Sequence, residues 1–487
     1  MSSSTLAFQS PRPPPGYTPL AVSSSQILLQ LTISNKCGQA FRWHGVDVYE
    51  PIEYIETVKK EEGDIDTTSI KTEETTRTYN RTTEWSMCLS DRIVFVRQDV
   101  ERGYIYFKTL MGESSGGLKS ADQVDPANIE TQTAAWLNDY LNLDVPLASL
   151  YEEWSEKDKV FSRLAKRFGG VRMLRQDPWE TLCAFICSSN NNIARIGQMV
   201  QNLCTHFSPP MATVTYPPPP REVFAGDEEV QAMPTTITYF PFPSVERLAE
   251  KDIDAKLRKL SFGYRAPYIQ DTARLLLETV ANSKDQEEGP AYDSPYQYLH
   301  SLRSMDYTSA RQELIRFPGV GPKVADCILL MAMDQPSSIP VDRHVFQFAE
   351  RWYKIRTKGG HKGYEHIANT FRQLWGPYAG WAHSVLFTAD LRAFQTYKVE
   401  EIENTIKDED GIADSTQVKR EIVVKEEEKS YPDAENEPVI NDRKKRAYHN
   451  LAETPTHDQN GIEITKAFKD TKKRRSVSVK KETSKIR

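Results

Sequence analysis

Short runs of β-branched and aromatic residues dominate the first part of the chain, between Tyr17 and Val145. The clearest are 92–97 and 104–107, and the apolar run 27–31 follows the same pattern. Runs of this length and composition are typical of strands. They predict an N-terminal α+β domain over 17–145, built on an antiparallel sheet.

Apolar residues recur at helical spacing over the second part of the chain, from Pro146 to Tyr397, and the stretch 154–164 is an example. A spacing of three and four residues places apolar side chains on one face of a helix. The whole pattern therefore predicts an α+β fold, in which the antiparallel-sheet domain is followed by an all-helical domain over 146–397.

Four segments interrupt or flank these patterns. A polar insertion rich in Thr and Glu lies at about 59–81, and a Pro-rich insertion at about 208–243 is predicted to be a loop, since proline cannot continue a helix. Residues 1–16 are rich in Pro and Ser, and residues 398–487 are charged and poor in apolar residues. Such sequences bury too little apolar surface to fold. Both ends are predicted to be disordered tails, the C-terminal one acidic and then basic.

The segment from Phe317 to Pro322 lies between two helical patterns and contains two glycines, which allow the positive φ angles of a tight hairpin. Pro322 suits the first position of the second helix, because its missing N–H costs nothing there. The buried stripe of that helix is predicted to be Val324, Ile328 and Met331. Backbone N–H groups beside a helix N-terminus bind anions such as DNA phosphate, whatever the base sequence. The hairpin residues predicted to bind phosphate are Gly319, Val320 and Gly321.

Lys323 falls in the first turn of that helix, where the helix dipole disfavours a cation. The dipole and partial burial are both expected to lower the pKa of the amine, towards the free base that a nucleophile requires. Asp342 precedes another helical pattern, so it is predicted to be an N-cap and to stay ionised. Taken alone, a first-turn lysine and an N-cap aspartate are also ordinary surface features.

Five motifs, in order over about 350 residues, resemble the helix-hairpin-helix DNA glycosylases, and within them the eukaryotic-type 8-oxoguanine DNA glycosylase/AP lyases. They are the hairpin itself, 37–43 (CGQAFRW), 187–195 (CSSNNNIAR), 263–266 (GYRA) and 375–382 (WGPYAGWA) with Leu386 and Phe387. The resemblance implies that Lys323 is the catalytic nucleophile. It implies that Asp342, also catalytic, stabilises positive charge on the sugar and helps to remove the lysine proton.

The resemblance also implies roles outside the hairpin, because a base must be flipped out of the duplex before it is excised. The residues expected to contact the estranged cytosine, the vacated space or the nearby backbone are Asn190, Arg195, Tyr264, Arg265 and His344. The residues expected to line the pocket for the flipped base are Gly38, Cys327, Met331, Pro340, His383 and Phe387. Taken singly, most of these are equally well explained as turn, core or surface residues.

Two pocket positions carry the expected specificity. The carbonyl of Gly38 would accept a hydrogen bond from N7–H of 8-oxoguanine, a proton that guanine lacks, and an unmatched pair there costs about 1–3 kcal/mol. At the second position the family typically has Gln, whereas this chain has His383. A neutral imidazole has one donor and one acceptor on opposite sides of its ring, so it cannot reproduce a bidentate amide contact. Purine recognition is expected to survive, with altered fine specificity.

Charge is unevenly distributed along the 487 residues, whose formal net charge is −6. Residues 171–400 carry 25 basic and 25 acidic side chains, whereas residues 466–487 carry 10 basic and 2 acidic ones. DNA contact is therefore expected to rely on local dipoles and a few placed cations, with help from the basic tail. The basic clusters 443–446 and 472–475 resemble nuclear-localisation signals, although a solvated charge run has the same composition.

The six cysteines have no paired CxxC spacing, and none follows Cys327. This argues against a zinc ribbon or a disulfide framework, and against the iron–sulfur branches of the superfamily. No cofactor and no catalytic metal are expected. No apolar run is long enough to predict a membrane span.

These observations predict a bifunctional DNA glycosylase/AP lyase of base excision repair. It would remove 8-oxoguanine, and ring-opened purines, opposite cytosine through a Schiff base on Lys323 and β-elimination. The expected partner is double-stranded DNA that contains an oxidised purine, bound by a monomer in the nucleus, with a mitochondrial pool as a further option. Two alternatives stay open: a glycosylase with a shifted lesion preference, and a non-catalytic helix-hairpin-helix DNA-binding protein.

Overall fold

The computed structural model describes residues 9–52, 78–112, 126–223, 233–285, 290–357, 360–395 and 397. The predicted C-terminal tail, residues 1–8 and residues 59–77 of the polar insertion lie outside the described residues. Residues 9–16 of the predicted N-terminal tail are described, and the N–H of Arg12 donates to the hydroxyl of Tyr106 (2.9 Å). The end of that tail is thus attached to the sheet. Apart from residues 360–363, the described residues belong to one compact unit.

Five antiparallel strands form the predicted N-terminal sheet, in the spatial order β1-β5-β4-β3-β2. Their bounds are β1 Thr18–Ala21, β2 His44–Ile52, β3 Thr78–Cys88, β4 Arg92–Asp99 and β5 Tyr104–Met111. The predicted strands 92–97 and 104–107 lie within β4 and β5. The polar insertion ends earlier than predicted, because β3 begins at Thr78, which pairs with Ile52.

The predicted strand 27–31 is wrong, because Leu29–Thr32 form a short helix, α1. Ile27, Leu29 and Leu31 are almost completely buried. A short apolar run with no polar face does not distinguish a buried strand from a buried helix.

The predicted helical domain is confirmed, and its first helix is α3. Helix α2, which precedes it, belongs to the sheet domain. The bounds are α2 Pro126–Tyr140, α3 Leu147–Lys157, α4 Lys159–Ala165, α5 Pro178–Ile186, α6 Ile193–Phe207, α7 Val245–Ala249, α8 Ile253–Lys259, α9 Arg265–Lys284, α10 Pro295–Ser301, α11 Tyr307–Ile315, α12 Pro322–Ala332, α13 Arg343–Tyr353, α14 Gly360–Trp375 and α15 Ala379–Asp390. Short 3-10 helices lie at Arg221–Val223, Leu302–Ser304, Gly376–Tyr378 and Arg392–Phe394. In the part of the chain that the structure describes, no helix has the length and apolarity of a membrane span.

The predicted helix over 154–164 is two helices, because the chain changes direction at Asp158. The Asp158 carboxylate accepts a hydrogen bond from the N–H of Val160 at the start of α4 (2.8 Å) and another from the indole of Trp375 (3.1 Å). A buried carboxylate needs such donors. The aspartate therefore caps a new helix, although the apolar spacing continues through it.

The Pro-rich insertion, predicted to be a loop, contains an antiparallel hairpin of β6 Ala212–Tyr216 and β7 Thr235–Tyr239. Tyr216 and Tyr239 are buried in one cluster with Phe95 of the sheet, and the hydroxyl of Tyr239 lies 2.6 Å from that of Ser86. Thr alternates with apolar residues along β6, which is a strand pattern. The prolines around both strands masked that pattern.

Helix α12 contributes to two apolar cores of the helical domain. Val324 and Ile328 belong to a core shared with α5, α6 and α9, whereas Leu330 belongs to a core shared with α13 and α15. Of the predicted stripe, Val324 and Ile328 are buried and Met331 is partly buried. Because both cores hold α12, the residues in its first turn are carried on a rigid support.

Gly380, near the start of α15, lies against residues 335–341, which we call the connecting segment because they lead from α12 towards α13. A Cβ atom at Gly380 would overlap the carbonyl oxygen of Ser338 and lie 2.8 Å from that of Pro336. Backbone atoms cannot move aside as a flexible side chain can. We expect Gly380→Ala to lower the free energy of unfolding by about 1–3 kcal/mol, measured by denaturant titration.

Gly197→Ala is the matched control, because Gly197 lies within α6 and a Cβ atom there meets nothing within 4 Å. Inside a helix, Ala is favoured over Gly by about 0.5–1 kcal/mol, so this variant should be at least as stable as the wild type. Wild-type stability in Gly380→Ala would show that the close backbone contact does not exist in solution.

Candidate active site

The hairpin between α11 and α12 depends on one glycine with positive φ. Gly319 has φ +83°, and a Cβ atom there would lie 2.7 Å from the Tyr268 ring. Gly321 has φ −98° and ψ −178°, which is extended backbone, so the hairpin uses the positive φ that glycine allows at Gly319 and not at Gly321. The N–H of Val320 donates to the carbonyl of Phe317 (3.1 Å). That N–H is occupied by the turn, so Gly319 and Gly321 are the better candidates to bind an anion.

Lys323 and Asp342 occupy the predicted positions at the start of successive helices. Lys323 lies in the first turn of α12, and its Nζ is 3.3 Å from the Ser188 hydroxyl. Asp342 is the N-cap of α13, and its carboxylate accepts a hydrogen bond from the N–H of Val345 (3.0 Å). The amine also interacts electrostatically with Asp342 and with the Cys327 sulfur. The fold thus brings together an amine and a carboxylate that are 19 residues apart.

The pKa of Lys323 is raised, so the expectation of a lowered pKa is wrong. Burial lowers the pKa of the amine, but its interactions with the Cys327 sulfur and the Asp342 carboxylate favour the ammonium more strongly. Burial also raises the pKa of the Cys327 thiol, to about 11, so at neutral pH the thiol is neutral and acts on the ammonium as a hydrogen-bond acceptor, whereas the negative charge beside the ammonium is that of Asp342. In the free protein Lys323 is therefore an ammonium. It must lose a proton before its nitrogen can act as a nucleophile.

Several residues predicted to form the base pocket lie around this pair. Gly38 has φ +77°, and a Cβ atom there would lie 3.1 Å from Ile193 and 3.6 Å from the Phe387 ring. Cys327 is buried on α12, one turn after Lys323. A side chain at position 38 would therefore enter the space in front of Phe387. Of the other predicted pocket residues, Met331 is partly buried on α12, and Pro340 is buried in the connecting segment.

His383, on α15, is a buried polar side chain without a hydrogen-bond partner at either ring nitrogen among the described residues. Its ring centre lies 6.1 Å from that of Phe387, and it interacts electrostatically with Asp342 and Lys323. Burial lowers the pKa of His383 to about 4, against the opposing effect of Asp342. The imidazole is therefore neutral at neutral pH; the Gly380 backbone also influences its pKa, but neither ring nitrogen makes a hydrogen bond of good geometry among the described residues.

Three of the predicted cytosine-contacting residues, Arg265, Tyr264 and Asn190, meet at the loop that carries Ser188. Arg265 is buried, and its guanidinium donates to the carbonyls of Ser189 and Asn190 (3.2 Å for the latter). Asn190 is exposed and has φ +49°, a conformation that Asn tolerates. The Tyr264 hydroxyl also donates to the Ser189 carbonyl (2.7 Å). The loop 188–190 therefore contacts these residues as well as Lys323.

Arg265 and Arg195 differ in how much of each side chain is already engaged. The Nε of Arg265 is buried and has no partner within the described parts of the chain. Arg195 is exposed on α6, and its guanidinium donates to the carbonyl of Ser261 (3.3 Å). Each guanidinium therefore retains donors for a further acceptor.

His344 is fixed by Asp390, a residue that the sequence did not single out. Its Nδ1 lies 2.9 Å from the Asp390 carboxylate, and its ring packs edge-on against Phe387 (5.8 Å between centres). Asp390 also pairs with Arg351. Ser188, which contacts Lys323, was missed as well, although it lies inside the motif 187–195. Nothing in the spacing of Asp390 could have revealed its role.

Two family models match the chain in adjoining segments. Residues 19–182 match the N-terminal domain of 8-oxoguanine DNA glycosylase, and residues 183–377 match the HhH-GPD superfamily of base excision DNA repair proteins. The first match contains the sheet and Gly38. The second contains the hairpin, Lys323 and Asp342.

Curated relatives agree with these matches. An N-glycosylase/DNA lyase of Saccharomyces cerevisiae is 36% identical over 273 residues, which cover 52% of this chain and 65% of the relative. An N-glycosylase/DNA lyase of Arabidopsis thaliana is 37% identical over 266 residues, which cover 53% of this chain and 63% of the relative. The chain therefore spans less than two thirds of the length of the curated relatives that it matches.

Solved structures share the fold. The 8-oxoguanine glycosylase/lyase of Clostridium acetobutylicum, in complex with double-stranded DNA containing cytosine opposite 8-oxoguanine, superposes with a TM-score of 0.51 at 21% identity. The superposition covers 79% of this chain and 98% of that chain. The same protein in its apo form gives a TM-score of 0.51.

The low pKa of His383 makes the stability of the fold sensitive to acid. Its ordinary pKa of 6.5 falls to about 4 in the folded protein. Between pH 6.5 and pH 4 the unfolded chain therefore binds a proton at His383 that the folded protein does not bind. The free energy of unfolding is highest above pH 6.5 and decreases as the pH falls towards 4. We expect the wild type to lose about 2 kcal/mol more free energy of unfolding than His383→Gln between pH 7 and pH 5. Denaturant titration at both pH values measures this. Parallel losses in the two proteins would rule out a buried, neutral His383.

Proposed function

We propose that the chain, whose residues 183–377 match the HhH-GPD superfamily of base excision DNA repair proteins, is a bifunctional DNA glycosylase/AP lyase. It removes 8-oxoguanine, and ring-opened purines, opposite cytosine in duplex DNA. The observation that carries this proposal is the pairing of Lys323 with Asp342 at the starts of α12 and α13. A non-catalytic DNA-binding hairpin would need neither the partly buried amine nor the carboxylate beside it.

The proposed reaction begins with loss of a proton from the Lys323 ammonium, which Asp342 helps to remove. The amine nitrogen then forms a bond to C1′ of the deoxyribose as the bond from C1′ to the base breaks, and the base leaves with the electron pair. Asp342 stabilises the positive charge that develops on the sugar. The C1′–O4′ bond then breaks as O4′ takes up a proton from the attached nitrogen, and the protonated Schiff base that results makes the C2′ proton acidic. Loss of that proton expels the 3′ phosphate and cuts the strand.

The pocket side of the site supports recognition of an oxidised purine. The absence of a side chain at Gly38 leaves room in front of Phe387, which would stack on one face of the flipped base while Cys327 meets the other. The Gly38 carbonyl would accept N7–H of 8-oxoguanine, a contact that guanine cannot make. His383 would face the Watson–Crick edge with one ring nitrogen. Neutral imidazole accepts or donates according to its tautomer, so this edge is read less strictly than by an amide.

The other side of the site supports recognition of the estranged cytosine. Cytosine presents the acceptors O2 and N3, and guanidinium groups are donors only, so Arg195 and Arg265 have the right chemistry. The Nε of Arg265, which has no partner among the described residues, would donate to such an acceptor. Asn190, exposed at the tip of its loop, would fill the space that the flipped base leaves. The ring of Tyr264 would replace lost stacking, and His344 would contact the backbone near the lesion.

Binding to the duplex backbone would rely on the hairpin more than on a broad positive field. The N–H groups of Gly319 and Gly321 lie in a turn at the N-terminus of α12, where phosphate is favoured. We propose that the protein acts as a monomer, in the nucleus, on double-stranded DNA.

Borohydride trapping tests the nucleophile. Reduction of the Schiff base should join the wild-type protein covalently to an 8-oxoguanine·cytosine duplex, and Lys323→Gln should reduce that product by at least a hundredfold because it removes the amine. Lys157→Gln, on α3, is the control for loss of a lysine and should trap like the wild type. A persistent trap in Lys323→Gln would assign the nucleophile to another residue. A wild type that neither traps nor excises would overturn the proposed activity.

The base opposite the lesion tests the role of Arg265. A lost charge-assisted hydrogen bond is worth about 1.5–3 kcal/mol, so Arg265→Gln should lower the preference for cytosine over the other three bases by roughly tenfold or more. Excision of 8-oxoguanine opposite each of the four bases measures this, and a panel of other lesions defines the substrate range. Arg274→Gln, on the same helix, should keep the wild-type preference. An unchanged preference in Arg265→Gln would place cytosine recognition elsewhere.

A further inference from the structure

The connecting segment carries Asp342 to the start of α13, and its last residues are held by one side chain from α14. Val341, the residue before Asp342, donates its N–H to the hydroxyl of Tyr364 (3.3 Å). The same hydroxyl lies 3.4 Å from the carbonyl oxygen of Ile339. The backbone next to Asp342 is therefore attached to the tip of the Tyr364 side chain.

The Tyr364 hydroxyl is itself fixed by Asp326, a fully buried residue of α12. The Asp326 carboxylate also accepts hydrogen bonds from the hydroxyls of Tyr307 (2.7 Å) and Ser338 (3.2 Å), and from the guanidinium of Arg311 (3.3 Å). A buried carboxylate is stable only when its oxygens are satisfied in this way. These donors come from α11, the connecting segment and α14, so a single group on α12 holds three neighbouring elements.

Asp326 lies one helical turn after Lys323, and on a helix that both cores of the domain hold. A short path therefore joins the two reacting groups: Lys323 through one turn of α12 to Asp326, then through Tyr364 to the backbone N–H before Asp342. Burial, and then the neighbouring Asp326, raise the pKa of Tyr364, so its hydroxyl keeps the proton that it donates.

We propose that Tyr364 is a positioning residue, which sets the place of Asp342 relative to Lys323 through its contacts with Asp326 and Val341. This inference rests on the proposed function, since it concerns the same amine and carboxylate. Tyr364 does not touch the DNA in this proposal. Its effect is therefore expected on the chemical step and not on binding.

Tyr364→Phe removes only the hydroxyl that joins Asp326 to Val341. A displacement of about 1 Å in a reacting group can cost about a hundredfold in rate, so we expect the single-turnover rate constant for excision of 8-oxoguanine to fall by about tenfold to a hundredfold. The dissociation constant for the lesion duplex should stay within about twofold of the wild type. Hydrogen exchange in peptides that cover the connecting segment should become faster.

Tyr353→Phe is the matched control. Tyr353 is a partly buried tyrosine whose hydroxyl, like that of the buried Tyr364, bonds a buried carboxylate, that of Asp158 (2.6 Å), but it lies at the far end of α13 from Asp342. Tyr353→Phe should lower the free energy of unfolding as Tyr364→Phe does, and should keep the wild-type single-turnover rate constant. Equal rate constants for Tyr364→Phe and Tyr353→Phe would overturn the inference.

A double-mutant cycle separates positioning from general damage, because residues that act through one another are not additive. In an Asp342→Asn background, Tyr364→Phe should lower the remaining rate by less than twofold, since the group that it positions is gone. A further tenfold loss in that background would show that Tyr364 acts on something other than Asp342. If the wild type is active, equal rate constants for the two tyrosine variants, or a further tenfold loss in the Asp342→Asn background, would refute the positioning role and leave the proposed function standing. An inactive wild type would refute the proposed function and this inference with it.

Discussion

The placement of one amine against one carboxylate is the constraint on which the rest of this structure depends. Lys323 and Asp342 belong to different helices, and each helix is fixed by apolar cores that reach far beyond the site. Charge interactions across a few ångströms change steeply with distance when water is excluded. The rigidity of close-packed helices is therefore a requirement of the chemistry and not an incidental property of the fold.

The two helix ends act in opposite ways on the groups that they carry. The N-terminus of α13 stabilises the Asp342 carboxylate, which also caps it, whereas the N-terminus of α12 disfavours the Lys323 ammonium. The ammonium persists because Asp342 and Cys327 outweigh burial. A sugar that enters between the two groups would change this balance, since developing positive charge on the sugar competes with the ammonium for the same carboxylate. The resting charge of Lys323 is thus compatible with a nucleophilic role.

Local signals in the sequence were sufficient for the elements that depend on local chemistry. The N-cap at Asp342, the helix start at Pro322 and the strands β4 and β5 follow from neighbouring residues, and each is where the pattern predicted it. The pattern failed where tertiary contacts decide: the buried helix α1 resembled a strand, and β6 and β7 were concealed by the prolines around them. The predicted direction of the Lys323 pKa shift was wrong for the same reason. It depends on how closely Cys327 and Asp342 approach in space, which spacing along a chain does not determine.

Among the described residues, some of the buried polar atoms without a hydrogen-bond partner lie at the proposed site, where a bound base would pair with them. An unpaired buried donor or acceptor costs about 1–3 kcal/mol, and folded proteins contain few of them. Arg265 Nε and both ring nitrogens of His383 are such atoms. A base that supplies the missing acceptor or donor removes this cost when it binds. A base that does not supply it binds more weakly, because the cost remains. In the proposed site, specificity is therefore expected to come from hydrogen bonds that the free protein leaves unmade, and the neutral ring of His383 offers one donor and one acceptor for them.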